Sequence, residues 1–158
     1  MKVVIVNSGH PAYTYGLAKG LKKIGVDIQV LVSKGQLYKE CFDGSFPIYE
    51  FDRNDSYLVK VRKLVMFIKN FNPEVIHFQA TFSLIKDSIF SFFLKYLRAK
   101  IVYTVHNILP HEKKIYDKFF FNIIYKNLPR IIVHANENKI RLIKEFNLPP
   151  NKISVIRM

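Results

Sequence analysis

Arg130 to Ile156, RIIVHANENKIRLIKEFNLPPNKISVI, decides the fold. It opens with a β-branched strand, Arg130 to His134. A helix from Asn136 to Phe146 follows, with Asn136 in the capping position, and the stretch ends in a second strand, Ile153 to Ile156. Strand, helix and strand joined by short connections form the unit of a parallel sheet. Working backwards along the chain, the same alternation recurs.

A helix is expected from Lys114 to Leu128, a strand from Ile101 to Val105, a helix from Phe82 to Leu97 and a strand from Val75 to Phe78. Tyr57 to Phe71 is amphipathic: Leu58, Val61, Leu64, Val65, Ile68 and Phe71 follow helical spacing, lysines and Arg62 take the other side, and Pro73 stops it. Ile48 to Phe51 reads as a short strand, Ser33 to Ser45 as a loop, and Asp27 to Val32 as a strand. Tyr13 to Ile24 reads as a helix with Leu17, Leu21 and Ile24 on one face and Gly25 as its stop. Lys2 to Asn7 is the opening strand. Near-continuous Val/Ile runs imply strands buried on both faces. The expected fold is α/β: a doubly wound, mostly parallel Rossmann-like sheet with helices on both faces, formed as a single domain over residues 1–158.

Ligands of such sheets bind at the carboxyl ends of the strands. That rule collects Ser8, Gly9 and His10 after the first strand, Gln79 and Thr81 after the Val75 strand, and His106, Asn107, His111 and Glu112 after the Ile101 strand. His134, Asn136 and Glu137 follow the Arg130 strand. The densest cluster is Thr104 to Glu112, TVHNILPHE, with two histidines and a carboxylate. Histidine takes up a proton near neutral pH, and a carboxylate can orient it or bind hydroxyls. The structural alternative is that His106 and Asn107 hydrogen-bond the loop and cap the next helix. His77, inside a strand, reads as a buried core histidine. Ser8-Gly9-His10 offers backbone N–H groups at a helix start, where a phosphate is stabilised, yet it matches neither GxGxxG nor a Walker loop. No metal site is expected, because the histidines lack ligand spacing and no thiol lies near them.

The single cysteine, Cys41, forms no internal disulfide, and the N-terminal apolar run is too short for a signal peptide. A cytoplasmic setting is expected. The net charge of +13 favours anionic partners. No nucleic-acid-binding motif is present and the lysines are spread over many elements, so nucleic acid is not the expected partner. The helices Phe82–Leu97 and Lys114–Leu128 carry more apolar surface than one sheet face uses. Contact with an anionic membrane, with a further domain, or with the core would each account for it.

Four segments carry a resemblance: Met1 to Val32 with LAKGLKKIGVDIQVL, PEVIHFQ (Pro73–Gln79), IVYTVHNILPHE (Ile101–Glu112), and Arg130 to Ile156. In order and spacing they resemble the N-terminal domain of family 4 glycosyltransferases, which have the GT-B fold of two facing Rossmann-like domains. The resemblance implies that this chain is the acceptor side. The donor-binding C-terminal domain is absent from it, so the chain is expected to be inactive alone and to need that domain or subunit as a partner. It implies transfer from a nucleotide-sugar, a substrate held mainly by the other domain, to a saccharide or lipid-linked acceptor, with no cofactor. By this resemblance His106 is the catalytic residue, His111, Glu112 and Asn107 bind the acceptor, and Gly9 and His10 contact the donor diphosphate. The alternative is a non-catalytic, membrane-associated subunit that recruits a separate donor-binding partner.

Overall fold

The computed structural model describes residues 1–7, 11–34, 43–52, 54–79, 83–94, 96–109 and 114–157. The chain divides into two compact units, Met1–Ala80 and Thr81–Met158.

The first unit comprises β1 (Lys2–Asn7), α1 (Pro11–Lys23), β2 (Asp27–Ser33), β3 (Ile48–Phe51), α2 (Tyr57–Phe71) and β4 (Val75–Phe78). Its strands are parallel in the order β3-β2-β1-β4. β1 therefore lies inside the sheet, which is why Val4, Ile5 and Val6 are fully buried. Val3, Ile5, Ile28, Val30 and Val32 form a core with Tyr15 and Ala18 of α1 and with Phe46. The connections β1→β2 and β3→β4 run in opposite directions across this order. Right-handed crossovers then put α1 and α2 on opposite faces.

α1 starts at Pro11, two residues before the expected Tyr13. Proline suits the first helical position, where its fixed φ is already helical and its missing N–H has no intrahelical partner. Leu17 and Leu21 pack against the core, but Ile24 is exposed. It lies beyond the helix end, in a turn closed by Gly25 at φ 80°. The Ser56 hydroxyl oxygen caps α2 by accepting from Val59 N–H at 3.4 Å. Asn72, left-handed at φ 51°, ends the helix by donating its N–H to Ile68 O at 2.8 Å. Of the expected apolar stripe of α2 only Leu64 is buried, and Leu58, in the first turn, is exposed.

The second unit comprises α3 (Leu84–Leu94), β5 (Lys100–Thr104), α4 (Asp117–Asn127), β6 (Arg130–Val133), α5 (Asn136–Phe146) and β7 (Ile153–Val155), with β5, β6 and β7 parallel and adjacent in that order. Both crossovers run the same way, so α4 and α5 share a face. α3 stops at Leu94 rather than Leu97, where the chain tightens into turns closed by Tyr96 N–H on Phe93 O and Leu97 N–H on Leu94 O, both 3.1 Å. α4 starts at Asp117 rather than Lys114. The Asp117 carboxylate reaches back to Lys114 N–H at 2.8 Å and holds 114–116 in a turn. Asn136 is not the cap of α5: extended Ala135 takes that position, with no side-chain cap, and Asn136 is the first helical residue. The Arg130 guanidinium donates to Asn151 O at 2.6 Å and ties β6 to the turn before β7.

Among the described residues the two units hold seven strands, parallel within each unit, and five α-helices, a Rossmann-like α/β fold.

Candidate functional site

The carboxyl ends of β5 and β6 bring two histidines together. In the register of this pair Thr104 lies opposite Ile132. The buried Val105 continues the ladder, donating its N–H to Ile132 O at 2.9 Å. Two residues beyond each end of the Thr104–Ile132 pair stand His106 and His134, both half-buried, with ring centroids 5.3 Å apart and planes inclined by 44°. His134 is held by its Nδ1, which lies 2.9 Å from Ile156 O. A carbonyl only accepts, so Nδ1 carries the proton, and in the neutral ring Nε2 carries the lone pair. Ile156 is in turn fixed by its own N–H on Val133 O at 2.9 Å.

The loop after His106 is anchored from beneath. Asn107 is exposed, but Ile108 is buried, and its carbonyl accepts the Tyr125 hydroxyl of α4 at 2.9 Å. Tyr125 is fully buried against Phe146 (5.1 Å), Phe121 (5.5 Å) and Tyr103 (6.4 Å, edge to face). Burial, with the Tyr103 phenol beside it, holds the Tyr125 hydroxyl protonated well above the usual tyrosine range. Burial and the Asp87 carboxylate raise Tyr103 likewise. A protonated phenol is the form that donates to Ile108, so the His106 loop rests on a donor that ordinary pH does not remove.

Directly after His134, α5 begins with Asn136 and Glu137 exposed in its first turn. With no side-chain cap, its first N–H groups face whatever occupies that rim, at the positive end of the helix. The second unit thus presents two imidazoles, a helix start and Asn107 where a ligand with hydroxyl or anionic groups would find both donors and acceptors. His111 and Glu112 lie outside the described residues, as do Ser8, Gly9, His10 and Thr81.

In the first unit the strand order reverses between β1 and β4, the point where open α/β sheets place ligands. The register Val6 opposite Phe78 brings Asn7 beside Gln79. Both are buried, and Gln79 N–H donates to Val6 O at 2.9 Å. Asn7 read from the sequence only as a strand end. Its tight burial at the switch point became visible with the strand order. His77 is buried, as expected for an interior strand position. Gln79 Nε2 lies 3.3 Å from its Nε2, where an amide N–H donates to an unprotonated ring nitrogen. Burial pushes His77 down to about 4, so it is neutral at physiological pH.

Among the described residues no three His, Cys, Asp or Glu side chains stand together as metal ligands. An open recess of about 450 Å³ lies along one face of α4 and the end of α5, between Lys118, Phe119, Lys126 and Phe146, and includes neither histidine of the rim.

The family described as Glycosyltransferase Family 4 matches residues 7–157. The search of curated proteins gives no match. Among solved structures the chain is similar to a glycosyltransferase from Rickettsia africae ESF-5, with a TM-score of 0.73 and 20% identity over 99% of this chain and 42% of that one. It is also similar to HepE from Anabaena in complex with UDP, with a TM-score of 0.68 and 17% identity over 99% and 44%. A third is UDP-GlcNAc 2-epimerase from Neisseria meningitidis bound to UDP-GlcNAc, with a TM-score of 0.67 and 14% identity over 98% and 46%. The chain thus spans somewhat less than half the length of these structures. At such identities the likeness establishes the fold, which transferases and epimerases share. The family match covers nearly every residue, including both histidines of the rim, and on that match the chain belongs to glycosyltransferase family 4.

Proposed function

We propose that the chain is the acceptor-binding half of a GT-B glycosyltransferase, which moves a sugar from a nucleotide-sugar to a saccharide or lipid-linked acceptor and depends on a separate donor-binding domain or subunit. The observation that carries this reading is the pairing of His106 with His134 just beyond two parallel strands, 5.3 Å apart. In the scheme an acceptor hydroxyl oxygen forms a bond to the anomeric carbon. The bond from that carbon to the diphosphate oxygen breaks, and the electron pair leaves with the nucleoside diphosphate. His106 takes the hydroxyl proton or orients the hydroxyl, and His134, locked by Ile156 O, positions the neighbouring ring. Asn107, His111 and Glu112 hold other acceptor hydroxyls. Gly9 and His10 approach the donor diphosphate. The nucleotide ligands of the Anabaena and Neisseria structures support a nucleotide-sugar as donor.

The test titrates UDP- and GDP-sugars calorimetrically into the chain, first alone and then mixed with a candidate donor-binding half, and follows turnover in the mixture. Binding and turnover are expected only in the mixture, and His106→Ala should lower turnover by about 10²–10⁴-fold with an unchanged circular dichroism spectrum. Near-normal turnover of His106→Ala removes that residue from the mechanism. Tight donor binding by the isolated chain overturns the division of labour.

A further inference from the structure

The recess along α4 has a lining unlike the core beneath it. Its floor is Phe146, buried and held edge to face against Tyr125 at 5.1 Å. Phe119, 62% exposed, forms one wall. Most of the other lining groups are polar. Asn122, from the middle of α4, and Asn147, the left-handed residue that ends α5, supply amides, and Glu145 supplies a carboxylate. Lys118 stands in the first turn of α4 and Lys126 in the last. Both helices run away from the carboxyl ends of their strands, so Lys126 and Asn147 lie toward the opposite end of the strands from His106 and His134.

This lining selects a class of ligand. An apolar ligand needs mostly apolar walls, whereas polar side chains outnumber apolar ones here. Side-chain amides donate and accept, and a carboxylate accepts, which suits neighbouring hydroxyl groups. The C–H groups on the apolar face of a sugar carry slight positive charge and rest against the negative face of a phenyl ring. At about 450 Å³ the recess has the size of a small-ligand site. Charge narrows the class. Glu145 is engaged by Arg141, whose Nε donates to it at 2.9 Å. Among the described residues neither Lys118 nor Lys126 forms an ion pair with a carboxylate. At 1.5 Å of rise per residue the two lysines are about 12 Å apart along α4, too far to share one anionic group.

We infer that the recess is a binding site for an acidic oligosaccharide, separate from the histidine rim. One sugar unit sits between Phe119 and the Phe146 floor, with its hydroxyls on Asn122, Asn147 and Glu145. Anionic groups on the units to either side meet Lys118 and Lys126. The net charge of +13 draws such a chain in from a distance. Single-stranded nucleic acid fits less well, because its bases stack on successive exposed rings, and Phe119 is the one exposed ring in the lining. Binding here is independent of whether the chain takes part in sugar transfer.

Titration of the ¹⁵N-labelled chain tests it, with tetragalacturonate, neutral maltotetraose and glucose 1-phosphate as probes and amide shifts as the readout. Tetragalacturonate should move the amides of 118–126 and 145–147 and bind about tenfold or more tighter than maltotetraose. Its binding should weaken as salt rises from about 0.1 M to about 0.5 M. Glucose 1-phosphate reaches only one lysine and should bind more weakly than tetragalacturonate. Phe119→Ala and the double variant Lys118→Ser/Lys126→Ser should each weaken tetragalacturonate about tenfold. Ile140→Ser, on α5 and outside the recess, should bind like the unaltered chain, and circular dichroism should show all variants folded. Equal affinity for the acidic and neutral tetramers overturns the inference, as does full binding by either recess variant. Glucose 1-phosphate binding as tightly as tetragalacturonate refutes the oligosaccharide assignment. Tighter binding of oligouridylate gives the recess to nucleic acid and also overturns it. Shifts confined to His106, Asn107 and 134–137 place the saccharide at the rim, which overturns this second site while leaving the acceptor reading standing.

Discussion

Lowering the pH from 7.5 to 5 should remove about 2 kcal/mol of stability through His77 alone. The imidazole binds a proton near 6.5 when unfolded but only near about 4 when buried in the first unit. Between those values the unfolded chain holds more protons. Stability therefore rises with pH across the window and is lost as pH falls through it. The full loss, reached below about pH 4, is about 3 kcal/mol. At pH 5 about two thirds of it is felt, a drop of roughly 4–8 °C in melting temperature for a chain of this length. The measurement is a difference between two proteins, which cancels contributions other than that of His77. Urea unfolding followed by circular dichroism at pH 7.5 and pH 5 compares the unaltered chain with His77→Gln, which keeps a hydrogen-bonding group beside Gln79 but cannot titrate. The variant should start less stable at pH 7.5 and lose about 2 kcal/mol less on acidification. Equal losses in the two proteins would refute the claim that His77 is buried and neutral.

Tyr125→Phe keeps the aromatic cluster but leaves the Ile108 carbonyl without its 2.9 Å donor. It should cost about 1–2 kcal/mol in thermal unfolding. It should also speed hydrogen exchange in the His106–Leu109 loop. Asp117→Ala releases the Lys114 N–H and should cost about 1–2 kcal/mol, read as a lower melting temperature with loosened exchange at 114–116.

The order of strands and helices was legible because each strand is a short β-branched run cut off by a polar residue or glycine, and each helix shows an apolar face. Helix ends were less legible where one side chain decides them. Asp117 serves the turn before its own helix, which delays α4, and Ile24 fell on the expected stripe only because the helix was read one residue too far. Asn136 read as a cap because asparagine favours that position, yet Ala135 takes the extended conformation there and moves Asn136 into the helix. The parallel-sheet rule placed His106 and His134 at strand ends. Their adjacency depends on Thr104 pairing with Ile132, a register across 28 residues that no local pattern encodes. The same holds for Asn7 and Gln79, adjacent only because β1 and β4 are neighbours.

The edge-to-face phenols beneath the His106 loop have an optical consequence. The chain contains no tryptophan, so its near-ultraviolet absorbance comes mainly from tyrosine. In an alkaline titration exposed phenols ionise near pH 10. Tyr103 and Tyr125, held protonated by burial, lag behind them. The late rise in phenolate absorbance then marks the opening of the second unit, and a spectrophotometer can time the loosening of the histidine rim without any added label.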